Sequence, residues 1–189
     1  MMLLFIFVVL AGVGALLWFQ GLWSNVVTFV NLWLAALLAF SLTEPITNAL
    51  DDQARNYGYL TDIIIVWVLF ALIFGILRAF TDQISRTRLQ FQPMVELVGR
   101  SVMSVVNAYV FTMFVCATLH AAPLEASPFK GAWPPNFIGL KPDVQFFQIT
   151  ELISRGSLEG TNQFSGPSHV GSMARRRGDL ERLEGFLAP

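Results

Sequence analysis

The chain has 189 residues, of which 54% are hydrophobic and only 13% are charged. In an ordinary soluble domain about a quarter of the residues are charged, so this composition indicates a protein of the lipid bilayer. The formal net charge of -1 argues against nucleic acid as a partner, because phosphate binding requires a clustered basic surface.

An apolar run at the start of the chain predicts a first membrane-spanning helix. Residues 1–19 contain no charged side chain, and at about 1.5 Å per residue they approach the roughly 30 Å of a hydrocarbon core. A cleaved signal peptide is the alternative, because the run is short and contains small residues between Ala11 and Ala15. Signal peptides have a basic region before the apolar stretch, and no Lys or Arg precedes this one, so the spanning helix is favoured.

A tight connection at residues 20–25 leads into a second apolar run. Residues 26–42 predict span two, and Pro45 is expected to end this helix. We expect residues 43–62 to form an acidic loop outside the hydrocarbon. Spans one and two therefore form a helical hairpin.

Two further apolar runs complete the predicted membrane domain. Residues 63–77 contain no polar side chain, and span three reaches about Phe80 because Arg78 can extend toward the membrane surface. Residues 101–119 predict span four, which ends before His120 and Pro123. The predicted fold class is an all-α membrane protein, built as a four-transmembrane-helix bundle.

Basic residues predict the orientation of the spans. The interval between spans three and four contains four arginines: Arg78, Arg86, Arg88 and Arg100. The opposite face of the membrane has only Arg55 and Lys130 near its spans. Because basic loops tend to stay in the cytoplasm, we expect the arginine-rich interval to be cytoplasmic and both termini to be extracytoplasmic.

Small residues recur three or four apart along the spans, a spacing that places them on one helix face. Beyond Ala11 and Ala15 on span one, the predicted helix-packing residues are Ala35 and Ala39 on span two, Ala71, Gly75 and Ala79 on span three, and Gly99, Ser101, Ser104 and Ala108 on span four. Helices in lipid associate through such close contacts and through hydrogen bonds. Two intramembrane polar residues, Asn31 and Asn107, are therefore expected to find partners or water.

Several short motifs follow one another in a recognisable order over roughly residues 1–125. They are Gln20, Gly21 and Leu22 in the first turn, Ala39, Phe40, Glu44 and Pro45 at the end of span two, Arg78 at the end of span three, and Phe91, Gly99 and Arg100 before span four. This order resembles the CvpA family, the colicin V production protein family of bacterial inner-membrane proteins. The resemblance implies a part in toxin production or export and in envelope homeostasis, and it implies a C-terminus outside the cytoplasm.

The composition changes to proline, glycine and polar residues from His120 onward. We predict three segments: a four-span transmembrane CvpA-like domain over residues 1–122, an extracytoplasmic Pro/aromatic segment over residues 123–156, and a disordered tail over residues 157–189. The middle segment is expected to contain a short amphipathic helix from about Pro142 to Arg155, because Phe146, Ile149 and Ile153 share one face of it.

No pattern in the sequence indicates a reaction, and we expect no catalytic, cofactor-binding or metal site. The lone cysteine, Cys116, lies four residues before His120, but two ligands do not make a zinc site. The chain has no P-loop, no dinucleotide fingerprint and no Gly-x-Ser-x-Gly motif. Intramembrane hydrolysis through Cys116 or Ser104 has the least support.

Two hypotheses for the function remain. The favoured one is a non-enzymatic inner-membrane accessory or scaffold protein, partnered by the lipid bilayer and by copies of itself or other envelope or export proteins. The alternative is a small transporter or channel subunit, with Asn31, Asn107 and Glu44 near the pathway.

Overall fold

The computed structural model describes residues 2–50, 58–84, 91–119 and 141–157, nearly all of them helical and none of them in a β-strand. In chain order the helices are α1 (Met2–Trp18), α2 (Leu22–Leu50), α3 (Gly58–Ile84), α4 (Pro93–Thr118) and α5 (Pro142–Ser157). In this described part, α2, α3 and α4 each contain a stretch long and apolar enough to cross a membrane, whereas α1 is a shorter apolar helix. The all-helical prediction is confirmed for the described residues.

The prediction that Pro45 ends the second helix is wrong, because α2 continues through Pro45 to Leu50. Proline removes one backbone donor from a helix. Threonine hydroxyls on either side of it bond to backbone carbonyls: Thr43 donates to Ala39 at 2.6 Å and Thr47 donates to Thr43 at 2.8 Å. Serine and threonine side chains of this kind help apolar helices to accommodate proline. The predicted acidic loop is therefore helical up to Leu50.

The arginine-rich interval is also mostly helical. Helix α3 extends to Ile84 and thus contains Arg78. Helix α4 begins at Pro93, because proline suits the first turn, where its missing N–H has no helical partner. Arg100 therefore lies within α4, and the predicted loop is shorter than the sequence suggested. Arg86 and Arg88 lie outside the described residues.

Helices α2 and α4 form the centre of the fold. Helix α3 packs against α2, α1 packs against α4, α2 packs against α4, and α5 packs against α4. Small residues allow the central helices to approach closely: Ala35, Ala36 and Ala39 of α2 are fully buried. On α4, Ser104 and Ala108 are buried, and a Cβ placed on Gly14 of α1 would lie 3.6 Å from the Cβ of Ala108.

The predicted small-residue face of α3 lies on the outside of the fold. Ala71, Gly75 and Ala79 are exposed, and a Cβ on Gly75 would have no neighbouring atom within 4 Å. Helix α3 instead buries Val66 and Phe70. The expectation that those three small residues pack within the bundle is therefore wrong for the described part of the chain, because bulky side chains fill the inner face.

The small residues of α1 need the same correction. Ala11 and Ala15 are exposed, and Gly14 is the residue that approaches α4. Spacing alone could not distinguish these faces, because α1 is apolar all round.

An aromatic cluster joins four of the helices around Phe114, which is fully buried. Four rings have their centres between 4.3 and 6.1 Å from the Phe114 ring: Phe40 of α2, Trp67 and Phe70 of α3, and Phe146 of α5. Offset and edge-on aromatic contacts at such distances add to the packing energy. The cluster therefore links α5 to the centre of the fold.

Helix α5 is attached to the other helices by more than one contact. Phe146 and Phe147 are buried, and the Phe146 ring stacks on Trp33 with centres 5.7 Å apart. The hydroxyl of Tyr109 donates a hydrogen bond to the Oε1 atom of Gln145. The helix predicted at about residues 142–155 thus packs against the C-terminal half of α4, and the rest of the predicted tail lies outside the described residues.

Candidate functional site

Polar side chains from three helices meet at the turn between α1 and α2. We call them the turn cluster: Gln20, Ser24, Asn25, Thr28, Arg78, Glu96 and Asn107. Gln20, Ser24, Asn25 and Thr28 are close together in the sequence. Arg78, Glu96 and Asn107 come from far along the chain, so their proximity to the turn is a product of the fold. Polar groups in an apolar environment cost free energy unless they are hydrogen-bonded, which makes their partners informative.

Asn25 is the central residue of the turn cluster and is fully buried. Its Nδ2 group donates to the carbonyl oxygens of Leu17, Gln20 and Gly21 at 3.1, 3.2 and 3.3 Å. The last carbonyls of a helix have no partner within that helix. From the first turn of α2, the Asn25 side chain therefore bonds to one carbonyl in the last turn of α1 and to two carbonyls of the connection that follows it.

Asn107 connects α4 to the same turn. Its Nδ2 group donates to the backbone carbonyl of Asn25 at 2.9 Å and to the Asn25 Oδ1 atom at 3.3 Å. The Oδ1 atom of Asn107 is buried and has no hydrogen-bond partner in the described part of the chain. Asn107 thus uses its donor groups to hold α4 against the start of α2.

Arg78 links α3 to α2. Its Nη1 and Nη2 atoms donate to Thr28 Oγ1 and Ser24 Oγ, each at 2.8 Å, and its Nε atom lies 3.1 Å from Asp82 Oδ2. The Arg78 side chain is only 27% exposed. The sequence predicts that Arg78 extends toward the membrane surface, whereas its two Nη atoms donate hydrogen bonds to side chains of α2.

Glu96 brings the start of α4 against the turn. Its Oε1 atom accepts a hydrogen bond from the backbone N–H of Leu22 at 2.7 Å. Leu22 is the first residue of α2, where free N–H groups and the helix dipole favour a negative charge. A Cβ on Gly21 would lie 3.1 Å from the same Oε1 atom, so glycine permits this close approach.

Gly99 lies where α4 crosses the side chain of Leu22. A Cβ on Gly99 would be 2.7 and 2.9 Å from the two δ carbons of Leu22, which is closer than side chains normally pack. The predicted packing role of Gly99 is consistent with this contact. Ser101 is partly exposed and donates to its own helix at Leu97.

The two predicted intramembrane asparagines have different hydrogen-bond partners. The Nδ2 atom of Asn31 donates to Thr81 Oγ1 of α3 at 2.9 Å, whereas Asn107 bonds to Asn25. The side chain of Glu44 lies outside the described residues. Each asparagine therefore joins a different pair of helices.

Residues considered for chemistry are placed apart from this cluster. Cys116 is buried and free, and Ser104 donates its hydroxyl hydrogen to the carbonyl of Ser101. His120 lies outside the described residues. Among the residues that the structure describes, no group of three or more His, Cys, Asp or Glu residues could hold a metal ion.

Sequence reasoning missed Ser24, Asn25, Thr28 and Glu96 as members of the cluster. One signal was available for Glu96, because it is one of only two acids in an arginine-rich interval. Asn25 was assigned to the connection between spans, and nothing in the sequence indicates that its side chain reaches back to α1.

In the described residues the fold is all-helical, with three helices suited to a membrane that are joined at one end by the turn cluster. Comparison with protein-family models, with curated proteins and with solved structures finds no match in any of the three. The resemblance to the CvpA family therefore rests on the residues of the chain itself.

Proposed function

We propose that the chain is a CvpA-type integral protein of the bacterial inner membrane, a non-enzymatic accessory or scaffold protein linked to toxin (colicin V) production or export and to envelope homeostasis. One observation carries this proposal. Motif residues that are far apart in the sequence, Gly21, Leu22, Arg78, Gly99 and Arg100, lie at the same end of the fold. Because these residues take part in one set of contacts, they have a common structural reason to occur in the same chain.

The exposed side of α3 supports placement in a bilayer. Five large apolar residues at four-residue spacing are each more than half exposed: Ile64, Val68, Leu72, Ile76 and Phe80. Soluble proteins rarely leave so continuous an apolar stripe in water. We take α1 as a fourth span, because its 17 residues extend about 25 Å and pack along α4.

The hydrogen-bond partners of the two intramembrane asparagines favour a scaffold over a transporter. Asn31 bonds to Thr81 and Asn107 bonds to Asn25, so each asparagine holds two helices together. A solute pathway would need polar groups that face a common opening. The transporter hypothesis remains the alternative, with the unbonded Oδ1 atom of Asn107 as its best starting point.

A complementation experiment tests the proposed function. Expressed in a bacterium that lacks its own CvpA protein, the full chain is expected to restore colicin V output and the exclusion of a dye that an intact envelope does not admit. Arg78→Ala should restore much less, because it removes the bonds to Ser24 and Thr28. Phe80→Ala, on the exposed side of α3, is the matched control and should act like the unmodified chain.

Two results would contradict the scaffold proposal. One is full accumulation of the chain in the membrane without any restoration of toxin output. The other is solute flux in liposomes containing the purified chain that Asn107→Leu abolishes, since this would favour the transporter.

The proposed orientation places the connection between α3 and α4 in the cytoplasm. In a Cys116→Ala background, Arg86→Cys is expected to resist an impermeant thiol reagent in intact cells and to react after permeabilisation. Arg55→Cys, on the opposite side in this topology, is the matched control and should react in intact cells. The reverse labelling pattern would invert the topology.

A further inference from the structure

Arg100 lies at the seam between α1 and α4. Its guanidinium carbon is 5.3 Å from the centre of the Trp18 ring, a cation–π arrangement. The Nε atom of Arg100 is buried and has no hydrogen-bond partner among the residues that the structure describes. No carboxylate in the described part of the chain lies within ion-pair distance of this guanidinium. Among the described residues, the Trp18 ring face is therefore the group that interacts with its charge.

The acids at this end of the fold are engaged elsewhere. Glu96, one helical turn before Arg100, accepts the N–H of Leu22 at 2.7 Å. Asp82 is paired with Arg78 at 3.1 Å. Both acids of the described part of this interval are therefore engaged by other groups, and the Arg100 guanidinium is available to an anion.

The surface beside Arg100 is apolar. Trp18 is 40% exposed, Phe19 is 84% exposed, and Leu97, three residues before Arg100 on α4, is 45% exposed. Tryptophan near a helix end is typical of the boundary between hydrocarbon and headgroups. A water-soluble anion would leave these side chains uncovered, whereas a lipid would place acyl chains on them.

We propose that the seam formed by Trp18 and Arg100 binds the headgroup phosphate of an anionic phospholipid. The Nη groups of Arg100 donate to the phosphate oxygens, a geometry that guanidinium groups suit well. The acyl chains lie on Trp18, Phe19 and Leu97. Basic positions between helices near a membrane surface are a recurrent setting for lipid headgroups. This site does not depend on the scaffold function.

Native mass spectrometry of the full chain in detergent, titrated with phosphatidylglycerol or phosphatidylcholine, tests the proposal. Arg100→Gln is expected to weaken phosphatidylglycerol binding about fivefold, as for the loss of one basic contact. Phosphatidylcholine, whose choline offsets the phosphate charge, should bind more weakly and should lose less affinity than phosphatidylglycerol on this substitution. Arg100→Lys should retain most of the affinity, because the positive charge remains. Lys141→Gln removes an exposed cation before α5 and is the matched control, with no expected loss.

Other results would contradict the proposed lipid-binding site. Equal phosphatidylglycerol affinity in the unmodified chain and Arg100→Gln would show that Arg100 does not bind the headgroup. An equal loss in Lys141→Gln would indicate diffuse attraction, and displacement of the lipid by millimolar inorganic phosphate would indicate a site for a soluble anion. If Arg100→Gln does not fold, the Trp18→Leu variant tests the proposed lipid site instead. It keeps the charge but removes the ring, and it should weaken binding about two- to threefold, whereas unchanged binding would contradict the proposal.

Discussion

Replacing Phe114 with alanine is expected to lower the free energy of unfolding by about 2–4 kcal/mol. Phe114 is fully buried and contacts rings of α2, α3 and α5, so its removal leaves a cavity where four helices meet. Losses of about 3–5 kcal/mol are typical of soluble cores. The expected value here is somewhat smaller, because lipid or detergent tails also solvate apolar groups and only the packing contribution is lost.

Unfolding by SDS titration in mixed micelles, followed by circular dichroism, measures this change. Phe80→Ala is the matched control, because it deletes the same side chain where 60% of it is exposed. We expect a loss below about 0.5 kcal/mol for the control. Equal losses in the two variants would show that Phe114 is not the centre of an aromatic cluster.

Asn25→Leu is expected to cost about 2–3 kcal/mol in the same measurement. The substitution removes the donor to the carbonyls of Leu17, Gln20 and Gly21, and it removes the Oδ1 acceptor of Asn107. Individual interhelical hydrogen bonds in membranes contribute modestly, on average about 0.6 kcal/mol. The expected loss of unfolding free energy for Asn25→Leu is larger, because several buried groups lose their hydrogen-bond partner at once.

Gln83→Leu is the control for Asn25→Leu, because it makes a similar change at an exposed position of α3. Combining Asn25→Leu with Asn107→Leu should cost less than the sum of the single substitutions, since the two residues share hydrogen bonds. Strict additivity, or a loss no larger than that of Gln83→Leu, would contradict the proposed importance of the turn cluster.

The turn cluster gives a physical reason why the widely spaced motifs occur in one chain. Gly21 and Gly99 leave room for Glu96 and Leu22, and Arg78 bonds to the first turns of α2. Each residue therefore matters through partners on another helix. The proposed scaffold function would require this kind of rigidity, because helices that hold partners must present constant surfaces to them.

Some parts of the candidate site were predictable from the sequence and others were not. Asn107 was recognisable as a polar residue that needs a partner, and Gly99 as a small residue at a helix contact. Asn25 and the partner of Glu96 were not predictable, because both side chains bond to backbone groups of the α1–α2 turn and every residue type has the same backbone groups. For Glu96 the partner is also 74 positions away.

The sequence by itself indicated apolar helices suited to a membrane, because long uncharged apolar runs predict helices in a bilayer irrespective of their neighbours. Tertiary structure alone decided which faces those helices bury. Ala35 and Ala39 are buried while Ala71, Gly75 and Ala79 are exposed, although both sets have the same spacing. The physical reason is that lipid and protein interior are similarly apolar, so hydrophobicity marks a spanning helix but not its inner face. Which face of a helix is buried depends on the aromatic rings and hydrogen-bonding groups of the other helices.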